Sequence, residues 1–121
     1  VKDMKKIIFC SLLLVSMNPL AKDIKTKEQA IESICGDAST YAKQVMNGRQ
    51  VGVTISDALK IANESNIPDQ KLKFYKSIIY NAYKEPKVID GALQVSIENE
   101  YSNSVYMVCS DAMMRDLPDT N

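Results

Sequence analysis

Two cysteines, Cys35 and Cys109, constrain this chain more than any other feature, because each falls on a stripe of apolar residues with helical spacing. The first stripe runs Ala30, Ile31, Ile34, Cys35, Ala38, Tyr41, Ala42, Val45 and Met46, at intervals of three and four residues. The second carries Ile97, Tyr101, Val105, Val108, Cys109 and Ala112. The third cysteine, Cys10, lies in an N-terminal apolar run with the pattern of an export signal. Met4 is the expected start position, with Val1-Lys2-Asp3 read as upstream of it. Lys5-Lys6 form a positive region, and Ile7 to Met17 form a run too short to anchor in a bilayer. Residues 1–21 are therefore expected to be a signal peptide cut after Ala21, with cleavage after Ser16 as the alternative. Residues 22–121 then form one mature helical domain.

Losing Cys10 with the signal leaves an even cysteine count, which in an oxidising periplasm or extracellular space reads as one disulfide. The loop between Cys35 and Cys109 spans 74 residues. Chain-entropy arguments assign closure of such a loop about 4 kcal/mol of stabilisation. For a small helical domain that is a large share of the total.

The rest of the chain supplies helix boundaries. Thr26 with Gln29 three residues on fits a capping box, and Glu28 puts negative charge in the first turn. Asn47-Gly48 is the expected end of the first helix. Thr54 with Asp57 starts a second, shorter helix through Ile55, Ala58, Leu59, Ile61 and Ala62, which Asn63 to Asn66 ends. Pro68-Asp69 opens a third, with Leu72, Tyr75, Ile78, Ile79, Ala82 and Tyr83 on one face, and Pro86 stops it. Gly91 lies near the start of a fourth, in which the weakly helical stretch Asn99 to Asn103 is a candidate kink. Leu117 to Asn121 reads as a frayed tail. Hairpin signals, repeats and low-complexity segments are absent from the sequence. The expected architecture is all-α: a single small bundle of about four helices, its first and last joined by a Cys35–Cys109 disulfide.

Composition excludes several functions. Three basic residues and one acidic residue precede residue 22, so the mature domain carries twelve Lys and Arg against fourteen Asp and Glu. That net charge of −2 exerts no global pull on nucleic acid or anionic membrane, and no other apolar run has membrane length. Histidine is absent, which removes the commonest general base and metal ligand. The carboxylates form no glycosidase-type pair, and no glycine-rich phosphate loop is present. The sequence thus points to no catalytic residues, no metal and no cofactor.

Two surface features remain. Around the third helix, Lys73, Lys76, Tyr80 and Lys84 fall together, away from the apolar stripe. A tyrosine framed by lysines suits a contact with an acidic protein or glycan; the ordinary alternative is a solvated face with lysine stems lying across the ring. Charge is also uneven along the chain. Residues 71–87 hold five lysines and one glutamate, while residues 90–119 hold six acids and one arginine. The simplest account is two antiparallel helices whose charges offset each other. The second feature is Arg49-Gln50, set between Gly48 and Gly52. Arg49 continues the core-facing stripe, where its guanidinium either caps carbonyls or pairs with a carboxylate, or else presents its planar fork to an anion or partner.

One combination of residues also has a likeness. Cys35, Ala38, Ala42, Val45-Met46, Arg49-Gln50, Gly52, Ala82-Tyr83, Pro86, Tyr106 and Cys109 together resemble a group of small, exported, uncharacterised α-helical proteins of Gram-negative bacteria and their prophages. That resemblance implies an exported helical domain with the Cys35–Cys109 bridge and no particular activity. Small periplasmic acid-stress chaperones are similar in outline, though with cysteines closer in sequence. Periplasmic immunity proteins and lysozyme inhibitors share the size, export and disulfide use. The expectation is a periplasmic or secreted, non-enzymatic binding protein whose partner is another envelope protein, using Arg49, Gln50, Lys73, Lys76, Tyr80 and Lys84. An acid-responsive chaperone is the alternative and a small hydrolase the third.

Overall fold

The computed structural model describes residues 26–119, so the expected signal peptide lies outside the described residues. Four helices are found among the described residues: α1 (Lys27–Val51), α2 (Ile55–Glu64), α3 (Asp69–Ala82) and α4 (Gly91–Asp116). No strand occurs among the described residues. The two long helices α1 and α4 lie antiparallel and form the spine. The Cys35–Cys109 disulfide joins them, with a Cα–Cα distance of 5.5 Å. Further ties along the pair are Lys27 Nζ donating to the Met114 carbonyl, Ser102 Oγ donating to the Ser39 carbonyl, and Asn47 Nδ2 donating to Glu98 Oε2.

The α1 stripe explains the close pairing. Ala38 and Ala42 are fully buried, and their small side chains admit the neighbouring helices, while Cys35 and Met46 fill the space above and below. Helix α3 packs on α1 through Tyr75 and Ile78, with the Tyr41 and Tyr75 rings stacked at 4.2 Å. Phe74, which lies off the predicted stripe, packs against both apolar clusters of the interior. Helix α2 rests mainly on α3 and buries only Ala62. Ile61, expected on its inner face, is 61% exposed.

The predicted caps at Thr26 and Thr54 form, each hydroxyl accepting from the backbone N–H three residues on. Asn47-Gly48 does not end α1. The helix continues one turn further and closes on Gly52 at φ 104°, with Gly52 N–H donating to the Arg49 carbonyl and Val53 N–H to the Gly48 carbonyl. That pair of bonds is a Schellman ending, which glycine enters without the steric cost of a Cβ. The extra turn is worth making because it places Gln50 in the interior.

Helix α4 also departs from expectation, for it runs unbroken through Asn99 to Asn103. Neighbours hold that stretch on two sides: Tyr101 Oη donates to the Ile78 carbonyl and Ser102 Oγ to the Ser39 carbonyl. Asp90 caps its start, Oδ1 accepting from Ala92 N–H and Leu93 N–H. Two stripe positions face water instead of the core: Ile34 is 48% exposed and Val108 66%. Each sits at the margin of its stripe, beyond the arc that the two-helix contact covers. The tail is tied down as far as Asp119, whose carboxylate lies 3.2 Å from Lys27 Nζ.

Candidate functional site

The lysine-framed tyrosine of α3 is where the helical wheel puts it. Lys73, Tyr80 and Lys84 are exposed and Lys76 is half-buried. Helix α3 turns Tyr75, Ile78, Ile79 and Ala82 inward, which obliges the residues between them to face out. Tyr80 is half exposed and makes no hydrogen bond among the described residues. The four lysine and tyrosine groups are not neutralised locally. Among the described residues the ion pairs are Lys27 with Asp119 and Arg115 with Asp116. The expected offsetting of α3 and α4 charges by direct pairing is therefore not found there.

Arg49 and Gln50 lie next to the Lys84 end of this face. Gln50 is 3% exposed, and its amide is a two-way clamp on the loop between α3 and α4. Nε2 donates to the Pro86 carbonyl at 3.0 Å, and Oε1 accepts from Val88 N–H at 2.9 Å. Helix α3 stops at Ala82 with Tyr83 as its cap, short of the Pro86 expected to stop it. The non-helical loop beyond has backbone groups that need partners, which Gln50 provides at Pro86 and Val88. Arg49 lies on the surface side of the same turn. Its guanidinium stands 5.2 Å from the Tyr83 ring centroid, and Nε donates to the Glu85 carbonyl. Tyr83 in turn donates its hydroxyl to the Val53 carbonyl at 2.6 Å. Burial raises the Tyr83 pKa, with Asp57 adding to the shift and Arg49 opposing it.

The structure thus brings Arg49 beside the Lys84 end of the α3 face, through Tyr83 and Glu85, and keeps Gln50 inside. Of the two readings open for Arg49, carbonyl capping is realised, through Nε on Glu85.

Two shallow grooves adjoin the face. One, about 240 Å³, lies between α3 and α4 and is lined by Phe74, Ser77, Ile78, Tyr101, Val105 and Val108 among others. Its continuation between Glu85, Ile97, Glu100, Tyr101 and Ser104 measures about 230 Å³. The other, about 210 Å³, lies between α1, α2 and Tyr83. Sequence periodicity could not place either, because both depend on how far α3 stands from its neighbours. Among the described residues no group of three or more His, Cys, Asp and Glu side chains is placed to hold a metal ion, and both cysteines are consumed in the disulfide.

The fold and this surface define a small all-α domain whose first and last helices are stapled by a disulfide. Compared with protein-family models, with curated proteins and with solved structures, the chain matches none of them. No helix among the described residues is long and apolar enough to cross a membrane.

Proposed function

We propose that the protein is an exported, non-enzymatic binding protein of the cell envelope that acts by surface contact, in the manner of an inhibitor or immunity partner. The observation that carries the reading is the α3 face. Tyr80 stands 52% exposed among lysines that form no ion pair among the described residues, an arrangement with charge and aromatic area to offer an acidic partner. Arg49 extends that positive surface from the end of α1. The disulfide is compatible with an oxidising compartment such as the periplasm.

Affinity capture from an envelope extract tests the reading, with the disulfide-bonded chain as bait beside a variant carrying alanine at Lys73, Lys76, Tyr80 and Lys84. One dominant partner, lost with the variant, is the expected result. Capture unchanged by the four substitutions would remove the α3 face from the function.

A second reading, an acid-stress chaperone, draws on a different observation. Val51, Ile89, Leu93, Val95, Met107, Val108 and Met114 are all more than half exposed, an unusual amount of apolar surface for a domain this small. An increase in hydrophobic-dye binding on acidification, with the helices retained, favours that reading.

A further inference from the structure

The groove between α3 and α4 has rims of opposite sign. On α3, Lys73 lies four residues before the groove-lining Ser77, and Lys84 follows seven residues after it, in the turn beyond the helix end. On α4, Glu100 lies four residues before the groove-lining Ser104, and Asp111 seven after it. Spacings of four and seven keep residues on one face of a helix, while Lys84, beyond the end of α3, is placed at the rim by its neighbour Glu85, which lines the groove. One rim is therefore mainly basic, although Glu85 stands beside Lys84 on it, and the other is acidic. None of Lys73, Lys84, Glu100 and Asp111 has an ion pair among the described residues.

The levels also match. The helices are antiparallel, with Phe74 and Val108 lining one stretch of the groove and Glu85, Ile97 and Glu100 the next. Lys73 adjoins Phe74 and so lies within about one helical turn of the level of Asp111. Lys84 adjoins Glu85 at the level of Glu100.

A surface with this symmetry is complementary to itself. A two-fold axis running along the groove lays the α3 of one copy over the α4 of the other, without shifting either along the helix direction. Lys73 then meets the partner copy's acid at the level of Asp111, and Lys84 the one at the level of Glu100. An axis across the groove would instead set lysines over lysines. Adjacent helices are antiparallel throughout the resulting layer pair, the arrangement of an up-down four-helix bundle. Val108, 66% exposed, and the half-buried Ile97 lie on the flank that the second copy covers.

We infer that this face is a contact between two copies of the chain. The inference rests on the proposed reading of the α3 lysine face as a contact surface, and names a second copy as one of its partners. Its extent sets the strength. The 14 residues of α3 are about 21 Å long, and two helices are about 20 Å wide, so each copy covers about 400 Å². That is about half the area per partner of a stable complex. The dimer is accordingly weak and concentration-dependent.

Sedimentation equilibrium of the disulfide-bonded chain, from about 10 µM to about 1 mM and at low salt, tests it. Reversible monomer–dimer association is expected. Lys73→Glu with Lys84→Glu makes both rims acidic, and Glu100→Lys with Asp111→Lys makes both basic, so each variant alone should lose association by tenfold or more. An equimolar mixture of the two should recover it as a heterodimer. All four sites are exposed, and circular dichroism verifies that each variant keeps its helices. A chain that stays monomeric to about 1 mM, or a dimer indifferent to either reversal, overturns the inference. Failure here stays distinct from failure of the envelope-partner reading. The Glu100→Lys, Asp111→Lys variant leaves Lys76 and Tyr80 untouched, and its capture of an envelope partner is measured separately.

Discussion

Replacing Gln50 by leucine keeps approximately the side-chain volume while deleting both ends of the clamp on the loop between α3 and α4. The lost bonds are Nε2 to the Pro86 carbonyl at 3.0 Å and Val88 N–H to Oε1 at 2.9 Å. A net hydrogen bond contributes about 1 kcal/mol, and a partly buried partner left unsatisfied adds to the cost. Val88 is half-buried and Pro86 exposed, so water reaches the freed carbonyl more easily than the freed N–H. The expected loss is about 2–3 kcal/mol, which for a domain this size lowers Tm by about 10–20 °C. Gln50→Glu sharpens the test. It keeps an acceptor for Val88 N–H but sets a carboxylate oxygen against the Pro86 carbonyl near neutral pH, and regains a donor only when protonated. Relative to the parent chain, that variant should be least stable near neutrality and recover as the pH falls below its carboxyl pKa. Thermal melts with amide exchange at Val88 report both effects. A Gln50→Leu chain within about 0.5 kcal/mol of the parent, with Val88 protection unchanged, would refute the clamp.

The disulfide closes a loop with a sequence separation of 74, so the Cys35→Ala, Cys109→Ala chain should be less stable by about 4 kcal/mol, read as a fall in the urea midpoint with little change in helix content below it. The parent's two cysteines should also resist alkylation until reduced. Alkaline pH reports on Tyr101, whose pKa is raised to about 12, chiefly by burial and also by Glu85, with a backbone hydrogen bond from Ala82 opposing. A tyrosine unfolds to an ordinary pKa of about 10, so between about pH 10 and 12 the unfolded chain holds fewer protons and stability falls with rising pH. Phenolate absorbance of the six tyrosines should end in a last step that Tyr101→Phe abolishes, while Tyr41 and Tyr83, also raised by burial, keep theirs.

Helix positions were legible because capping and periodicity are local. Thr26 and Thr54 announce their helices, Pro68 and Pro86 bracket the third, and both cysteines lie on stripes that face each other. What was illegible depends on contacts far apart in sequence. Asn47 looks like a cap by type, yet its amide spends itself on Glu98 across the α1–α4 seam, and the helix ends five residues later at Gly52. Asn99 to Asn103 looks weak by propensity, but packing and two side-chain bonds from Tyr101 and Ser102 override it. Phe74 was missed because it lies between α1 and α4, on a side of α3 that a single-stripe reading treats as solvent. Arg49 and Gln50 stood out as an odd polar pair in an apolar register. The signal was sound, but sequence alone could not divide their roles, since that division depends on which of the two faces the loop at Pro86.

The same division bears on how the surface works. Helix α4 is held to α1 near one end by the Cys35–Cys109 bridge, and at the other its entry is set by Gln50 on Val88 and by the Asp90 cap. Between those fixtures, among the described residues, its direct polar ties to α3 run through Tyr101, to the Ile78 carbonyl and to the Ala82 backbone, so α3 and α4 stand apart with a groove along their join. Their spacing is therefore decided by covalent and buried contacts on the α1 side and not by anything on the outer face. A surface fixed in this way loses little conformational freedom on association. Its lysines and carboxylates can then be spent on recognition, because the fold does not need them to hold the two helices together. Reversing Lys73 and Lys84 should accordingly leave the melting temperature nearly unchanged, as surface charges without partners contribute little to stability.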